Sequence, residues 1–545
     1  MKLKHLCLLF YSVALSLAAN FEPKVSETLS SDYIQIAAFD DTTHLLRVEK
    51  NELLYSKDNG NSWVVPQGLE SGVNVSSFQI DSFFPKRAFA MTEGAYYVTK
   101  DQGEHWEKVS IPIEQRSSED QIGWSWPYII THASREDYII TEISVCRPDD
   151  PDSEDGSPDF SISCEALSLV SSDGGRSFTR LFTPEKDSDV KRTNAEGCRF
   201  TRNSKNFQLG TESTILCEVY KITQDADTEE EHFSKELYVT TDFGKTFKQV
   251  DQYKNLNIAQ VEIVDNYVLV FTQDDLYNQD SPTTLWVSRD AITFHETQLP
   301  TQIRSGFFDI LGVFNGKIFL SIVRWQKHMM GKKGASEILV SDSTGFKFTK
   351  LSSSKGEGFH NLYQIDQLEG VIVDSFSSSY HRRKGPRYHS TISFDNGVTW
   401  SNLRIDDPDH KGEYNCDIDD YKRCSLQTFG MSSSQADESY STGATPGVLM
   451  TCGSVSDDGS LEWDKLHTFV SRNGGLSWSK VLDFPVTYAF GDMGNIIVAV
   501  PYDSNSDGDS ASEIFYSLDQ GHTWSEYQLK REIYPFRLFV TTVDG

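Results

Sequence analysis

A repeated acidic turn is the feature of this chain whose residue types and spacing could do chemistry. Its pattern is Ser/Thr, any residue, Asp, any residue, Gly, any residue, Ser/Thr and an aromatic residue, as in Ser56–Trp63 (SKDNGNSW). Nine copies occur, and their acidic positions hold Asp58, Asp101, Asp173, Asp242, Asp290, Ser343, Asp395, Asn473 and Asp519. A catalytic pair of carboxylates would occur once. The repetition therefore favours a structural role for these acids.

The chemistry of a tight turn explains each position of this repeat, which we call the Asp box. The acid accepts backbone N–H groups inside the turn, Gly takes a positive φ, and the aromatic residue begins the next strand. Two copies depart from the pattern. Ser288–Phe294 is one residue short and lacks the Gly, and Ser341–Phe348 has Ser343 in the acidic position.

The spacing of the boxes predicts the architecture. Successive acidic positions are separated by 43, 72, 69, 48, 53, 52, 78 and 46 residues. Four-stranded propeller blades recur every ~40–50 residues, and polar inserts such as Asp149–Asp159 and Gln224–Glu231 lengthen some of these intervals. We expect an all-β fold, a single large β-propeller of about ten four-stranded blades with Asp-box turns and an incomplete last blade. Two smaller propellers are the alternative.

Charge excludes some classes of partner. The chain has 545 residues, of which 50 are Lys or Arg and 80 are Asp or Glu, and its formal net charge is −30. Nucleic acids and anionic membrane surfaces need a positive footprint. We therefore expect no nucleic-acid partner, whereas a basic or mixed-charge protein ligand is compatible with this charge.

The N-terminal segment predicts the compartment. Residues 1–18 combine Lys2 and Lys4 with a short apolar run and small residues near the end, the pattern of a secretory signal peptide. A buried first strand is the alternative. No later stretch approaches the ~18 apolar residues that a membrane-spanning helix needs. We expect residues 19–545 to form the propeller in the secretory-pathway lumen or outside the cell.

The cysteines fit an oxidising compartment. Cys7 lies in the predicted signal peptide, and the others fall into sequence neighbours. We expect three disulfides, namely Cys146–Cys164, Cys198–Cys217 and Cys416–Cys424. Cys452 is left over, either buried and free or lacking its partner. Asn74-Val75-Ser76 is the sequon at which we expect N-glycosylation.

Two constellations resemble sites without completing them. Asp503–Gly508 resembles the start of a calcium loop, but its twelfth position is Ile514, where a bidentate Glu is needed. A sialidase, which also carries Asp boxes, needs an arginine triad and a Tyr nucleophile; the string nearest to its first arginine motif, Phe536–Phe539, lacks Pro. We expect no cofactor, no metal and no enzymatic activity.

Further motifs carry a specific resemblance. Cys416-Asp417 through Arg423-Cys424 bounds a short loop after the box that ends at Trp400, and Thr451–Val455 and Gly491–Val500 flank the following box. With the boxes, they make the chain resemble the lumenal domain of a sortilin-type sorting receptor, the family that includes the fungal receptor for vacuolar carboxypeptidase Y. The resemblance implies a ten-bladed propeller that binds protein ligands in its tunnel. It also implies that the receptor carries these ligands between Golgi and endosome.

The resemblance also sets expectations about what is missing. The sequence ends at Gly545, where the family continues into a cysteine-rich module, a transmembrane helix and a cytosolic tail. We expect exposed sheet edges and lower stability, unless a strand near Tyr33–Phe39 completes the ring. The implied function is the carriage of soluble vacuolar hydrolase precursors. A secreted Asp-box glycosidase and an inactive truncated receptor relic are the alternatives.

Basic residues supply the candidate ligand contacts. Lys327–Lys333 and His381–Arg387 are basic clusters in an acidic chain, and both precede a box. Solvated inter-strand loops explain them, and so would contacts to the carboxylate of a ligand. Because the family's peptide site uses an arginine of a middle blade, the resemblance implies ligand-binding roles for Arg324, Arg382 and Arg383.

Overall fold

A computed structural model gives the conformation of most of the chain. The described residues are 34–40, 42–112, 121–148, 162–181, 190–202, 204, 209–224, 231–252, 256–275, 281–300, 302–304, 308–324, 335–355, 360–365, 367–381, 385–428, 445–459, 465–501 and 511–533. The predicted signal peptide, the calcium-like Asp503–Gly508 and Phe536–Phe539 lie outside these residues.

Nine antiparallel sheets follow one another along the described chain. The strands of sheets 1 to 3 are β1 Ile34–Ala38, β2 Leu45–Glu49, β3 Glu52–Ser56; β4 Ser77–Ile80, β5 Ala88–Thr92, β6 Ala95–Thr99, β7 Glu107–Ser110; β8 Gln121–Thr131, β9 Ile139–Pro148, β10 Ile162–Ser171, β11 Thr179–Arg180. Those of sheets 4 to 6 are β12 Val190–Phe200, β13 Ile215–Gln224, β14 Glu231–Thr240, β15 Lys248–Gln249; β16 Asn257–Val264, β17 Tyr267–Gln273, β18 Pro282–Ser288, β19 His295–Glu296, β20 Ile303–Arg304; β21 Phe308–Phe314, β22 Lys317–Arg324, β23 Ala335–Ser341, β24 Phe348–Lys355.

Sheets 7 to 9 complete the series. Their strands are β25 His360–Gln364, β26 Ile372–His381, β27 Gly385–Ser393, β28 Ser401–Asn402; β29 Ser425–Thr428, β30 Leu449–Ser456, β31 His467–Ser471, β32 Ser479–Leu482; β33 Val486–Gly491, β34 Ile496–Pro501, β35 Ala511–Ser517, β36 Ser525–Ile533. Two short 3₁₀ helices, Pro408–Glu413 and Asp492–Gly494, interrupt them. Among the described residues, no helix is long and apolar enough to cross a membrane.

Each Asp box joins the third strand of a sheet to the fourth. In sheet 1 the fourth strand is reduced to a bridge between Tyr55 and Val64. Nine boxes therefore correspond to nine described sheets, close to the about ten blades that the spacing predicted, and the all-β propeller of four-stranded blades is confirmed. The expected incomplete last blade differs in detail, because sheet 9 has four described strands and the reduced sheet is the first.

Hydrophobic cores lie between successive sheets. Eight clusters of buried residues are described, and each draws its members from two sheets adjacent in the series. A sheet with neighbours on both faces buries both faces of its middle strands. All seven residues of β17 (YVLVFTQ) are buried for this reason, and the strand lacks the polar alternation of a half-exposed strand. Stacking of the sheets, rather than any one sheet, creates the core.

Candidate functional site

The meander topology gives every sheet two distinct ends. Connections between strands one and two lie at the same end as the boxes, which we call the box face; connections between strands two and three, and between sheets, lie at the other end, the loop face. Hydrogen bonds hold the box face together. The residue after the box acid donates its N–H to a carbonyl of the first connection at 2.9–3.3 Å in the pairs Asn59–Thr43, Gln102–Lys86, Gly174–Asp137, Asn396–Gly370, Gly474–Gly447 and Gln520–Asn495.

The box around Asp173 shows how the turn uses its acid. Ser171 Oγ and the Ser177 N–H donate to Asp173 Oδ1 at 2.8 and 2.9 Å, and Ser177 Oγ donates to Oδ2 at 2.6 Å. The hydrogen bond to Oδ1 from the first Ser or Thr recurs at 2.8–2.9 Å in eight boxes. Both carboxylate oxygens are thus occupied inside the turn.

These hydrogen bonds stabilise the ionised form of the box acids. The Ser177 hydroxyl and N–H lower the pKa of Asp173 to about 2, and the Thr246 hydroxyl and N–H lower that of Asp242 to about 2. The pKa values of Asp58 and Asp395 are lowered in the same way by Ser62 and Thr399. A general acid needs the opposite shift. The box geometry therefore supports a structural role.

The two degraded boxes keep the turn by different means. Ala291 takes the left-handed position with φ 62°, while Asp290 Oδ1 accepts the N–H groups of Ile292 and Thr293. In the other, Asp342 accepts the N–H groups of Thr344 and Phe346, although the pattern assigned Ser343 to the acidic position. The assignment of Ser343 was wrong by one residue, and the adjacent Asp was the signal that could have corrected it.

The described strand ends nearest to the candidate arginines lie at the loop face of sheets 6 and 7. Arg324 is the last residue of β22, opposite Ala335 in the β22–β23 ladder. Residues 382–384, which include Arg382 and Arg383, lie outside the described residues and join β26 to β27. Because sheets 6 and 7 pack together, the backbone places both connections at the same end of neighbouring sheets. Lys327–Lys333 also lies outside the described residues.

A buried polar pair lies in the seam between these two sheets. His360, the first residue of β25, contacts Asp374 with 2.6 Å between Nδ1 and Oδ2, and both side chains are buried. The His360 N–H donates to Ser321 Oγ of β22 at 3.0 Å. Burial raises the pKa of Asp374. The pair fixes the start of β25 against β26 and, through Ser321, against sheet 6.

Hydroxyl groups tie the other side of sheet 7 to sheet 8. Ser375 Oγ and Ser390 Oγ donate to the Thr428 carbonyl at 2.8 and 3.1 Å, and the Thr428 N–H donates to Ser390 Oγ at 2.9 Å. All three residues are buried. Buried polar groups that satisfy one another rigidify their surroundings. Sheet 7 is thus held by polar contacts on both faces.

An insertion between sheets 7 and 8 adds a compact, disulfide-closed surface. Cys416 and Cys424 are bonded, and Ile405 forms a parallel bridge to Trp478 of the next box. Asp407 accepts the Tyr414 hydroxyl at 2.6 Å and the Lys480 N–H at 3.1 Å. These contacts hold the insertion against sheet 8. The second described disulfide, Cys198–Cys217, joins β12 to β13 inside sheet 4.

The other cysteine predictions and the sequon can also be located. Cys146 is disulfide-bonded, and the β9–β10 register places it opposite Cys164. Cys452 is a buried thiol that takes part in no described disulfide, and its Sγ lies 3.4 Å from the Val486 carbonyl oxygen. Asn74 and Ser76 are exposed just before β4. An exposed sequon is open to a glycosyltransferase.

One group of side chains within the described residues has the composition of a metal site. Ligand atoms of Asp101, Glu104 and His105 lie within 4.8 Å of one another. They belong to the second box, where His105 Nδ1 contacts Asp101 Oδ2 at 2.7 Å in place of the usual hydroxyl. Asp101 Oδ1 accepts the Thr99 hydroxyl and the His105 N–H. The cluster is therefore explained as a box variant.

Comparisons with known proteins agree with this architecture. A family model described as "Sortilin, neurotensin receptor 3" matches residues 51–538. The chain is similar to "Vacuolar protein sorting/targeting protein PEP1" of Saccharomyces cerevisiae (35% identical over 97% of this chain and 34% of that protein). It is similar to "Vacuolar protein sorting/targeting protein 10" of Zygosaccharomyces rouxii, at 36% identity over 97% of this chain and 34% of that protein.

Length and structural likeness qualify these similarities. The chain spans about a third of the length of these relatives, 34% in both cases. Among solved structures, dipeptidyl peptidase 4 of Porphyromonas gingivalis matches with a TM-score of 0.39 and 9% identity over 87% of this chain and 65% of that one. A score that low carries no argument about function.

Proposed function

The chain belongs to the sortilin–Vps10 family, and from that premise we propose that residues 19–545 are a lumenal propeller that binds soluble vacuolar hydrolase precursors, such as a carboxypeptidase precursor. Binding takes place on the loop face and is reversible, and no bond in the ligand is broken. Transfer from late Golgi to endosome follows from binding in one compartment and release in the next. The family match over residues 51–538 carries the proposal.

The structural difference between the box face and the loop face supports a binding role. On the box face, hydrogen bonds within the turns occupy the acids of the repeat, as they occupy both oxygens of Asp173. The longest described ladders, β9–β10 and β13–β14, have ten residue pairs each and run toward the loop face. Loops placed on a rigid scaffold are the usual carriers of recognition.

The chemistry of the candidate contacts fits an acidic or C-terminal carboxylate group of the ligand. Arg324, Arg382 and Arg383 are guanidinium groups that can bind a carboxylate through two hydrogen bonds. The net charge of −30 would repel an acidic ligand at long range, so such contacts act locally. We propose that they anchor one carboxylate of the ligand.

The experiment is a direct binding measurement with the full chain secreted from a fungal host. The purified precursor of vacuolar carboxypeptidase and its mature form are passed over the immobilised chain at pH ~7 and pH ~5, the range in which histidine titrates. Saturable binding of the precursor at the higher pH supports the proposal. Absence of binding by a folded, secreted chain contradicts it. Retention in the endoplasmic reticulum with chaperones favours the receptor relic.

A further inference from the structure

A histidine is enclosed in the seam between sheets 3 and 4, on the box face. His132 follows β8, and its side chain has no exposed surface. Its ring lies edge-on against Tyr138 of the same connection, at 5.5 Å between centroids, and against Phe200 of β12, at 5.1 Å. The imidazole is therefore part of the aromatic contact that joins the two sheets.

The hydrogen bonding of this ring requires its neutral form. His132 Nδ1 accepts the Ser134 N–H at 3.2 Å, so the proton of the neutral ring is on Nε2. Nε2 is buried, and the backbone of Glu212 is a polar group that favours protonation of the ring. A second proton, on Nδ1, would displace the Ser134 N–H, would leave the Ser134 hydroxyl, 3.4 Å away, as a weak acceptor, and would place a charge among aromatic rings. The displaced N–H and the buried charge oppose protonation in the closed seam.

The charged groups around the ring do not offset that charge. Arg135 belongs to the same connection, and Arg202 and Glu212 lie on the sheet 4 side. Arg135 Nη1 donates to Glu212 Oε2 at 2.9 Å, and Arg202 Nη1 is 3.8 Å from Oε1. One carboxylate thus already faces two guanidinium groups. Burial lowers the pKa of His132 to about 4; Glu212 opposes this shift and the two arginines add to it.

Polar and apolar contacts both cross the seam among the described residues. The Arg135–Glu212 ion pair crosses it at the surface, the Cys198 N–H donates to Glu142 Oε1 of β9 at 2.8 Å, and a cluster of buried apolar side chains joins the two sheets. Sheet 4 itself is tied together by the Cys198–Cys217 disulfide. Opening at His132 would therefore loosen the contact between sheets 3 and 4 rather than either sheet itself.

We propose that the seam between sheets 3 and 4 is an acid-sensitive latch, which is closed while His132 is neutral and opens when His132 takes up a proton. An imidazole released to water has an ordinary pKa of about 6.5, so the open form binds the proton more tightly. Stability of the closed seam is complete above that pH and falls as the pH drops toward 4. At pH 5 the opening equilibrium is roughly 30-fold larger than at pH 7.5.

His132 differs in its surroundings from the buried histidine between sheets 6 and 7. His360 Nδ1 lies 2.6 Å from Asp374 Oδ2, whereas the carboxylate near His132 is already paired with two arginines. The latch is therefore assigned to the seam between sheets 3 and 4, and it concerns the unliganded chain, independently of the proposed cargo.

Hydrogen exchange of the full chain at pH 7.5 and pH 5, with exchange times corrected for the intrinsic rate, tests this latch. The peptides that report on it cover residues 132–140 and 209–216. We expect opening of these peptides to increase roughly 30-fold on acidification. In His132→Phe, which keeps an aromatic ring and cannot be protonated, the increase disappears. The matched control His295→Phe changes an exposed ring beside Phe346 and keeps the wild-type response.

Equal acid-induced opening in wild type and His132→Phe would overturn the proposal. If that variant does not fold at pH 7.5, Arg135→Gln provides the second test. Removal of one guanidinium leaves Glu212 free to stabilise an imidazolium, which raises the pKa of His132 in the closed form and reduces the ratio of opening between the two pH values. An unchanged or larger ratio in Arg135→Gln contradicts the latch.

Discussion

Arg87 and Asp81 form a fully buried ion pair on the box face of sheet 2, with 2.6 Å between Arg87 Nε and Asp81 Oδ2. Arg87 Nη1 also donates to the Glu136 carbonyl of sheet 3, and Thr131 Oγ1 donates to Asp81 Oδ1 at 3.3 Å. The pair therefore links two neighbouring sheets through groups that are removed from water. A buried charge that loses its partner is strongly destabilising.

Removal of that guanidinium should therefore weaken the fold. We expect Arg87→Met to lower the free energy of unfolding by about 3–5 kcal/mol, because Asp81 is left buried and unpaired. Denaturant unfolding followed by tryptophan fluorescence measures the change. Lys57→Met removes a cation from an exposed pair, 3.9 Å from Glu104, and should cost less than about 1 kcal/mol. A similar, small effect for both variants would show that the buried pair is not needed.

The geometry of the Asp box predicts that Asn can replace Asp in the acidic position without loss of the turn. Asn473 occupies the acidic position of the eighth box, where its Oδ1 accepts the Ser477 N–H at 3.0 Å and its Nδ2 donates to Ser477 Oγ at 2.9 Å. Asp173→Asn should therefore keep the turn, whereas Asp173→Ala loses its hydrogen bonds and about 1–2 kcal/mol. Thermal unfolding of the two variants decides. Equal losses would contradict the acceptor role of Oδ1.

The pH dependence of that box has a definite sign. The folded pKa of Asp173, about 2, lies below its ordinary value of 3.8. The contribution of the carboxylate to stability is therefore present above pH 4 and is lost as the pH falls toward 2. The difference in unfolding temperature between wild type and Asp173→Asn should shrink over that window. A difference in unfolding temperature that stays constant from pH 5 to pH 2 would contradict this role of the Asp173 carboxylate.

The cysteines predict a thiol count. Disulfides join Cys416 to Cys424 and Cys198 to Cys217, Cys146 is also disulfide-bonded, and Cys452 is a buried thiol outside the described disulfides. Alkylation of the secreted protein in denaturant without a reductant should label Cys452 alone. Labelling of Cys7 as well would show that the predicted signal peptide had been retained. Peptide mapping by mass spectrometry distinguishes these outcomes.

The sequon predicts one glycan. Asn74 and Ser76 are exposed, and we expect Asn74→Gln and Ser76→Ala each to increase electrophoretic mobility by the same step. Glycosidase treatment should remove the difference from wild type. Asn61→Gln, in an exposed turn without a sequon, serves as the control and should leave mobility unchanged. A glycan that persists in Asn74→Gln would contradict the assignment.

Local patterns in the sequence were sufficient for the architecture. The Asp box is a self-contained turn, so its spacing predicted a propeller of about ten blades, close to the nine described sheets, and the strand expected near Tyr33–Phe39 is β1. Ser343 was misassigned because its neighbour Asp342 can accept the same N–H groups from one position earlier. A turn tolerates that shift, whereas a pattern with fixed spacing does not.

Contacts between sheets were beyond what the sequence could predict. His132 and Phe200 are far apart in the chain, and nothing in their neighbourhoods indicates that they meet. The buried pair His360–Asp374 has no motif either, since its partners come from two strands whose register decides the contact. The candidate arginines belong to connections whose lengths vary independently of the repeat. Binding residues in such loops are not constrained by the repeat, so the repeat pattern cannot predict them.

The central claim, cargo recognition on the loop face of sheets 6 and 7, is tested most directly by the affinity of the full chain for purified carboxypeptidase precursor at pH ~7. We predict that the triple variant Arg324→Ala, Arg382→Ala and Arg383→Ala loses roughly tenfold or more in affinity, because charge-assisted hydrogen bonds to the ligand are removed. Arg531→Ala, which removes one exposed guanidinium from β36, should bind like wild type. Equal affinity of all three proteins would contradict the account.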